Sequence, residues 1–335
     1  MIQLRQIGDV LLSTPAVRAL RARYPESEIS FLVEPKGAMV LQGNPEINTI
    51  IVRDPSDGFF KDIKLINKVR RGRFDLVVDF LANPRSGLIS LLSGAKVTIS
   101  YAGKPRSYLY THRVIQKGEY SAAHKLSLLR VLGIKDCSIK PVFFVLPEAR
   151  AAIERFLEGE GVKREDFVVC INSTHRRITR KWRGYGELAD AISDRWGAKV
   201  IFTWAPEERE EAEAILSTAK RKHILAPQIE LGELGALIER SDLLVGNNSA
   251  PMHIAAALGT PSLIIHGSSR PENWILPEPI HRAVMKGLPC QPCGQDSCDK
   301  ELKCLEELTT LDVLDVLNGM REATPRLKQF LERGV

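Results

Sequence analysis

The chain has 335 residues, of which 44% are hydrophobic and 26% charged, and Lys plus Arg outnumber Asp plus Glu by 47 to 41. This length accommodates two domains with separate cores, and no apolar run approaches the about 20 residues that a membrane-spanning helix needs. The excess of positive charge favours anionic partners, such as phosphates or a membrane surface, about as well as it favours an ordinary basic surface. No nucleic-acid partner is expected.

The first residues form a strand-like segment and lack the basic stretch, apolar core and small-residue cleavage site of a signal peptide. A cytoplasmic location is therefore expected. Because the chain is basic, peripheral association with the inner face of the cytoplasmic membrane is part of the same expectation.

The first part of the chain alternates short apolar runs with helical patterns, which is typical of a parallel sheet covered by helices. Strands are predicted at residues 1–5, 29–34, 49–53, 74–80 and 96–101. Helices are predicted at residues 10–24, 60–71, 85–92 and 122–132. Residues 141–147, with a proline at each end, predict a linker.

A second alternating series follows the linker. Its strands are predicted at residues 167–171, 199–204, 223–225, 242–245 and 262–266. Its helices are predicted at residues 148–158, 185–196, 207–221, 231–240 and 251–258. The fold class is therefore α/β, with Rossmann-like doubly wound domains at 1–146 and 147–320 and ligands at the carboxyl ends of the strands and between domains. The tail is predicted to be helical at 311–319 and 325–333, with the helix in 321–335 packing back on the N-terminal domain.

Residues 241–267 predict a strand, a phosphate-binding turn, a helix and a second strand. Gly246 relaxes the backbone as the first strand ends, Asn248 or Ser249 can cap the helix, and Pro251 suits its first turn. The N–H groups of such a helix start form an anion site, although many doubly wound folds leave similar turns empty. His253 is either a phosphate donor or a packed core histidine.

Two further segments could carry chemistry. The loop at 172–182 is rich in cations, with arginine forks and Lys181 as a point charge for phosphate, and its alternative interpretation is a solvated basic loop. Asp9, between the first strand and its helix, is either a helix cap or a general base for an acceptor hydroxyl, and both roles are compatible.

Three segments, residues 6–20, 124–133 and 246–261, resemble the bacterial ADP-heptose:lipopolysaccharide heptosyltransferase family, glycosyltransferase family 9. The similarity runs from the first residues to about Leu317. It implies the GT-B fold, in which two Rossmann-like domains face a central cleft, with the acceptor on the N-terminal domain and the nucleotide sugar on the C-terminal one. The implied reaction is inverting, metal-independent transfer of heptose from ADP-heptose to the inner core of lipopolysaccharide or a related lipid-linked anionic glycan, with no cofactor.

Residue by residue, the resemblance implies that Asp9 is the catalytic base and that Arg85 and His124 bind the acceptor. The implied donor-binding residues are Thr174, Lys181, Glu208, Asn248, Ser249, Ala250, Met252 and His253. Asn248 stands where the family usually has aspartate and Ala250 where it has glycine, which bears on the identity of the donor. The alternatives are a GT-B transferase or epimerase that uses another nucleotide sugar, and a non-catalytic nucleotide- or glycan-binding protein.

Four cysteines form a separate cluster in the sequence, at Cys290, Cys293, Cys298 and Cys304. Their spacing is short enough for one tetrahedral zinc ion but is not that of a standard zinc ribbon. A structural metal, a redox-sensitive clip and an unligated cysteine-rich loop remain the alternatives. None of them has a catalytic role.

Overall fold

The computed structural model describes residues 1–320, 322 and 325–332, apart from the side chains at 59 and 331. The chain divides into two compact units, Met1–Phe144 and Val145–Val335. This division lies two residues before the boundary predicted at 146/147, within the predicted linker.

In the N-terminal unit, two small parallel sheets flank the first residues of the chain. The strands are β1 (Ser30–Val33), β2 (Thr49–Val52), β3 (Leu76–Val78), β4 (Val97–Tyr101) and β5 (His112–Val114), in the orders β1-β2 and β3-β4-β5. Ile2 forms parallel bridges to Leu32 and to Asp79, and its N–H donates to the Val78 carbonyl at 2.8 Å. Residues 1–4 therefore run between the sheets, and the side chains of Ile2 and Leu4 join the core of this unit.

Six helices cover these sheets: α1 (Ile7–Leu11), α2 (Thr14–Arg23), α3 (Pro35–Leu41), α4 (Phe59–Arg71), α5 (Pro84–Leu92) and α6 (Ser121–Ser127). The single helix predicted at 10–24 is two helices, because the hydroxyls of Ser13 and Thr14 bond the carbonyls of Val10 and Leu11 at 2.6 Å and interrupt the helix there. Asp9 consequently lies within α1, in its first turn, and not in a loop before a helix.

The C-terminal unit is built on one six-stranded parallel sheet in the order β11-β10-β9-β6-β7-β8. Its strands are β6 (Val168–Asn172), β7 (Lys199–Thr203), β8 (Ile224–Leu225), β9 (Leu243–Asn247), β10 (Ser262–Ile265) and β11 (His281–Val284). Strand β6 pairs with β7 on one side and β9 on the other. The order of connection reverses at this point, where doubly wound sheets bind ligands beyond the carboxyl ends of their strands.

Nine helices belong to the described part of this unit. They are α7 (Pro147–Gly159), α8 (Tyr185–Trp196), α9 (Arg209–Leu216), α10 (Leu231–Arg240), α11 (Ala250–Leu258), α12 (Pro271–Trp274), α13 (Lys303–Glu306), α14 (Thr310–Asn318) and α15 (Pro325–Glu332). Across both units, none of the described helices is both long enough and apolar enough to span a bilayer.

Helix α15 corrects the prediction for the tail. The ring of Phe330 stacks on that of Phe167 with centroids 3.4 Å apart, and Leu327 is buried in the same core. Arg326 Nε lies 2.6 Å from Asp242 Oδ1. The helix therefore packs on the C-terminal unit, because its apolar residues cover an aromatic surface there. The other residues of the predicted tail, 321, 323, 324 and 333–335, lie outside the described residues.

Replacing Phe330 tests this packing. Phe330→Ala should lower the free energy of unfolding by about 3 kcal/mol, because it leaves a cavity against Phe167. Urea unfolding followed by near-ultraviolet circular dichroism measures the change. The control Leu311→Ala, at a leucine that is 67% exposed, should change stability by less than about 0.5 kcal/mol. Equal losses in the two variants would contradict the packing.

Candidate functional site

The carboxyl ends of β6 and β9 are joined through the buried side chain of Asn247. Its Oδ1 accepts hydrogen bonds from the Trp182 N–H at 3.2 Å and from the Tyr185 hydroxyl at 2.9 Å. Its Nδ2 donates to the Ser173 carbonyl at 2.8 Å. One amide thus fixes both ends of the loop at 173–182 against the end of β9.

The middle of this loop is held by a close backbone approach. A Cβ on Gly267 would lie 2.1 Å from the Thr179 carbonyl oxygen, so only glycine fits there without displacing the loop. The N–H of Ser268 donates to the same carbonyl at 3.1 Å. The loop at 173–182 is therefore anchored to the carboxyl end of β10 as well.

The start of α11 lies at the same edge of the sheet. Ser249 is its N-cap residue, but the Ser249 hydroxyl donates to Asn172 Oδ1 at 2.8 Å and does not cap the helix. The next residue, Ala250, has no polar side chain, while Met252 and His253 are each 4% exposed. First-turn N–H groups that the N-cap side chain leaves uncapped suit an anion.

The two neighbouring cations at the end of the loop have different surroundings. Lys181 Nζ lies 2.8 Å from Glu211 Oε1, in α9. Arg180 is half-buried, and its Nε has no hydrogen-bond partner among the described residues. Burial and the nearby Arg177 lower the pKa of Arg180. The sequence pointed to Lys181 and only generally to the arginines of this loop, whereas the contacts leave Arg180 better placed for an added anion.

Two histidines near Arg180, the half-buried His175 and the buried His266, were not singled out in the sequence. Burial and the charge of Arg180 lower the pKa of His175 to about 4, and burial likewise lowers that of His266 to about 4, so both are neutral at pH 7. His175 Nε2 lies 3.1 Å from the Asn248 carbonyl oxygen. The sequence signals were weak: His266 directly follows β10, and His175 lies in the cation-rich loop, three residues after β6.

A short polar chain fixes the proton of His266. Asn248 Nδ2 donates to the Ser269 hydroxyl at 2.6 Å, and this hydroxyl lies 3.1 Å from His266 Nδ1. Because Ser269 accepts from the amide, its own proton is directed to Nδ1, and the ring proton is assigned to Nε2. Within the described residues that Nε2 is buried and has no hydrogen-bond partner.

The ends of β6 and β7 bring a second pair of predicted donor residues together. The Thr174 hydroxyl donates to Glu208 Oε2 at 2.5 Å. Trp204, also after β7, donates from Nε1 to the Ala226 carbonyl at 2.8 Å. A carboxylate at this position can accept hydrogen bonds from sugar hydroxyls.

In the N-terminal unit, Asp9 has a buried partner that the sequence did not reveal. Lys125 Nζ, on α6, lies 3.4 Å from Asp9 Oδ1 and donates to Gln3 Oε1 at 2.9 Å. It also lies 5.6 Å from the ring centroid of Phe80. Burial lowers the pKa of Lys125 and the Asp9 carboxylate opposes that change. Lys125 is far from Asp9 in the sequence, so no local pattern could have paired them.

The two predicted acceptor residues are placed differently. Arg85 lines a cavity of about 540 Å³ between α4 and α5, together with Arg5 and Asp62, and its Nε lies 3.5 Å from Asp62 Oδ2. His124 does not line this cavity, and its Nε2 lies 2.8 Å from the Gly118 carbonyl oxygen.

The cysteine segment packs against the anchored loop through its backbone. The N–H of Gly294 donates to the Ser268 carbonyl at 2.7 Å, and the Thr179 hydroxyl donates to the Gln295 carbonyl at 2.9 Å. Burial, followed by the proximity of the other three thiols, raises the pKa of Cys304. All four cysteines are unpaired: Cys290, Cys293, Cys298 and Cys304. In the described parts of the chain no three His, Cys, Asp or Glu side chains are arranged to hold a metal ion.

Comparison with known proteins adds to this geometry. The family model described as glycosyltransferase family 9 (heptosyltransferase) matches residues 63–303. Lipopolysaccharide heptosyltransferase 3 of Escherichia coli (strain K12) is 31% identical over 287 residues, which cover 81% of this chain and 83% of that protein.

Two solved structures are similar over nearly the whole chain. The glycosyl transferase family 9 protein from Veillonella parvula DSM 2008 has a TM-score of 0.85 at 23% identity and covers 96% of both chains. The E. coli ADP-heptose LPS heptosyltransferase II has a TM-score of 0.78 at 21% identity, with 98% of both chains covered. These similarities confirm the predicted GT-B fold class. The chain belongs to glycosyltransferase family 9 and is a glycosyltransferase.

Proposed function

We propose that this glycosyltransferase moves a heptose from ADP-heptose to the inner core of lipopolysaccharide or to a related lipid-linked anionic glycan. The observation that carries the proposal is the group of donors at the carboxyl ends of β6, β9 and β10. It combines the uncapped start of α11, the half-buried Arg180 and the Nε2 proton of His266. The names of the similar heptosyltransferases support the choice of heptose and of lipopolysaccharide.

The diphosphate of the donor binds at the start of α11. A helix N-terminus stabilises an anion by only about 0.3–1 kcal/mol at exposed sites, so a diphosphate needs further cations. Arg180 supplies a planar fork with unused hydrogen-bonding capacity, and Lys181 supplies a second charge that it shares with Glu211. His253 and Ser249 lie on the same helix start.

Asn248 has a chemical role that aspartate could not fill in the same way. Its amide Nδ2 donates to Ser269 and so directs the Ser269 proton to His266. A carboxylate has no proton to donate at neutral pH. Asn248, in place of the usual aspartate, therefore keeps the neutral His266 as a hydrogen-bond donor to the phosphates. The small side chain of Ala250 leaves the N-terminus of α11 accessible to the phosphates.

The nucleoside binds at the ends of β6 and β7. The Glu208 carboxylate, already bonded to Thr174, accepts from the ribose hydroxyls. Met252, buried behind the helix start, provides apolar support.

Asp9 is the general base of an inverting transfer. It takes the proton of the acceptor hydroxyl as that oxygen attacks the anomeric carbon from the face opposite the leaving ADP. Lys125 positions the Asp9 carboxylate from the buried side, with Gln3 as its second partner. Arg85 and Arg5, in the cavity between α4 and α5, bind anionic groups of the acceptor. His124, outside this cavity, also binds the acceptor. The transfer uses no metal ion.

The acceptor also sets the location of the protein. A lipid-linked substrate requires the enzyme to work at the inner face of the cytoplasmic membrane, and the basic chain favours peripheral association with an anionic bilayer.

Two substitutions separate the base from its positioning residue. Asp9→Asn should lower kcat about a thousandfold, because the proton then has no acceptor, and ADP affinity should not change. Lys125→Met should lower kcat about tenfold through misplacement of the carboxylate, with the KM for the donor unchanged. Release of ADP with a delipidated acceptor measures both. Lys135→Met, at an exposed lysine of the same unit, is the control and should keep wild-type turnover. Near-wild-type turnover of Asp9→Asn would show that Asp9 is not the general base.

The phosphate site is tested by comparing arginines in one loop. Arg180→Ala should weaken ADP binding about tenfold or more, because a half-buried fork is lost. Arg177→Ala, at an exposed arginine paired with Asp296, should change it by less than about twofold. Lys181→Ala should weaken ADP binding by an intermediate factor. Isothermal titration with ADP, UDP, GDP and CDP sugars gives the affinities and the base preference, and equal effects of the two arginine variants would exclude this site.

The neutral state of His266 predicts a pH dependence of stability. Its pKa is lowered from 6.5 to about 4 by burial, so the unfolded chain binds more protons between these values. The free energy of unfolding should therefore fall as the pH falls from 6.5 towards 4. His266→Gln should reduce the slope of this free energy against pH by up to the contribution of about one bound proton. Urea unfolding over this pH range measures the slope. His175→Gln should act in the same direction, and an unchanged slope in both variants would contradict the assignment.

A further inference from the structure

Helices α4 and α5 carry apolar side chains on faces that do not point to the core. On α4, Phe60 is 80% exposed and Ile63 39%. On α5, Leu88 is 46% exposed, Leu91 51% and Leu92 36%. The spacings of three and four residues place each set on one side of its helix.

The core is served by other residues of the same helices. Leu65, Ile66 and Val69 of α4 and Ile89 of α5 pack in the core of the N-terminal unit. A surface helix of a globular protein needs only one such apolar stripe. Ile63 and Leu88 of the outward set border the cavity between the two helices, but the exposure of Phe60, Leu91 and Leu92 is unexplained by folding. Exposed apolar residues grouped on a surface mark interaction sites.

Basic residues surround the exposed apolar side chains. Helix α4 has five cationic residues and one acidic residue, and α5 has one cation and no acid. The acid, Asp62, is already paired with Arg53 and Arg85, and Lys61 is paired with Asp57 at 2.7 Å. The unbalanced positive charge of α4 therefore rests on Lys64, Lys68, Arg70 and Arg71. We call this group the α4–α5 surface: Phe60, Ile63, Leu88, Leu91 and Leu92 with Lys61, Lys64, Lys68, Arg70, Arg71 and Arg85.

We propose that the α4–α5 surface docks the protein on an anionic lipid bilayer. The apolar side chains enter the boundary between headgroups and acyl chains, while the lysines keep their ammonium groups among the phosphates. Charge complementarity selects this occupant. A second copy of the chain would bring two sets of cations together across a symmetric interface, which is repulsive.

This inference rests on the proposed function, since a lipid-linked acceptor would then be met at the surface that the protein docks on. The cavity that contains Arg85 opens between the same two helices, and Arg5, which also lines it, precedes α1 and Asp9 in the chain. Docking through α4 and α5 would therefore place the mouth of the cavity beside the headgroups.

Vesicle binding tests the proposal with the full chain. Wild type should sediment with vesicles of equal parts phosphatidylglycerol and phosphatidylcholine, should not do so with phosphatidylcholine alone, and should lose binding as salt is raised. The double variants Phe60→Ser/Leu91→Ser and Lys64→Glu/Lys68→Glu should each bind about tenfold less. The control Leu311→Ser, at an exposed leucine of the other unit, should bind as wild type does.

Soluble assays separate this proposal from the function itself. Both double variants should keep wild-type ADP affinity and wild-type transfer to a delipidated acceptor, because none of the four residues lines the cavity or contacts Asp9. Variants that sediment like wild type, or a wild-type dimer that they convert to a monomer, would overturn the docking proposal. If wild type binds the vesicles but transfers no sugar from any heptose donor, only the proposed function is overturned.

Discussion

The side-chain amide of Asn247 is the constraint on which the candidate donor site depends. It is buried at the end of β9 and satisfies three partners on the loop and helix that follow β6. Leaving any of these buried groups without a partner costs more than one exposed hydrogen bond contributes. The loop therefore has one position relative to the sheet, and Arg180, His175 and the start of α11 are brought to the same edge. Preorganised donors of this kind stabilise developing charge without reorganising during the reaction.

Much of the fold could be predicted because burial on both faces leaves a plain sequence pattern. The strand–turn–helix–strand unit at 241–267 is present as β9, α11 and β10, with Pro251 in the first turn of α11. Gly246 lies within β9, where a Cβ would be 2.9 Å from the Asn172 carbonyl oxygen. Strand β11 was missed because its polar and apolar residues are mixed, and α3 because it is short. The predicted helix at 10–24 was divided by two hydroxyls that bond the backbone, an effect that periodicity does not record.

The candidate site was less accessible to sequence reasoning, since it depends on which side chains already have partners. Lys181 and Arg180 are adjacent cations in one loop, yet the first is paired with Glu211 and the second has unused donor capacity. The contact of Lys125 with Asp9 joins residues on different helices. The tail was placed on the wrong unit because an amphipathic helix shows that it packs but not on which surface.

The close approach at Gly267 limits how this site could be redesigned. Any side chain there would collide with the Thr179 carbonyl, and the neighbouring Ser268 is tied both to that carbonyl and to Gly294 of the cysteine segment. These three stretches form one mechanical unit although they are far apart in the chain. A loop transplanted from another transferase to alter donor preference would have to bring its counterparts of β10 and the cysteine segment, and a transplant of 173–182 alone would lose its register.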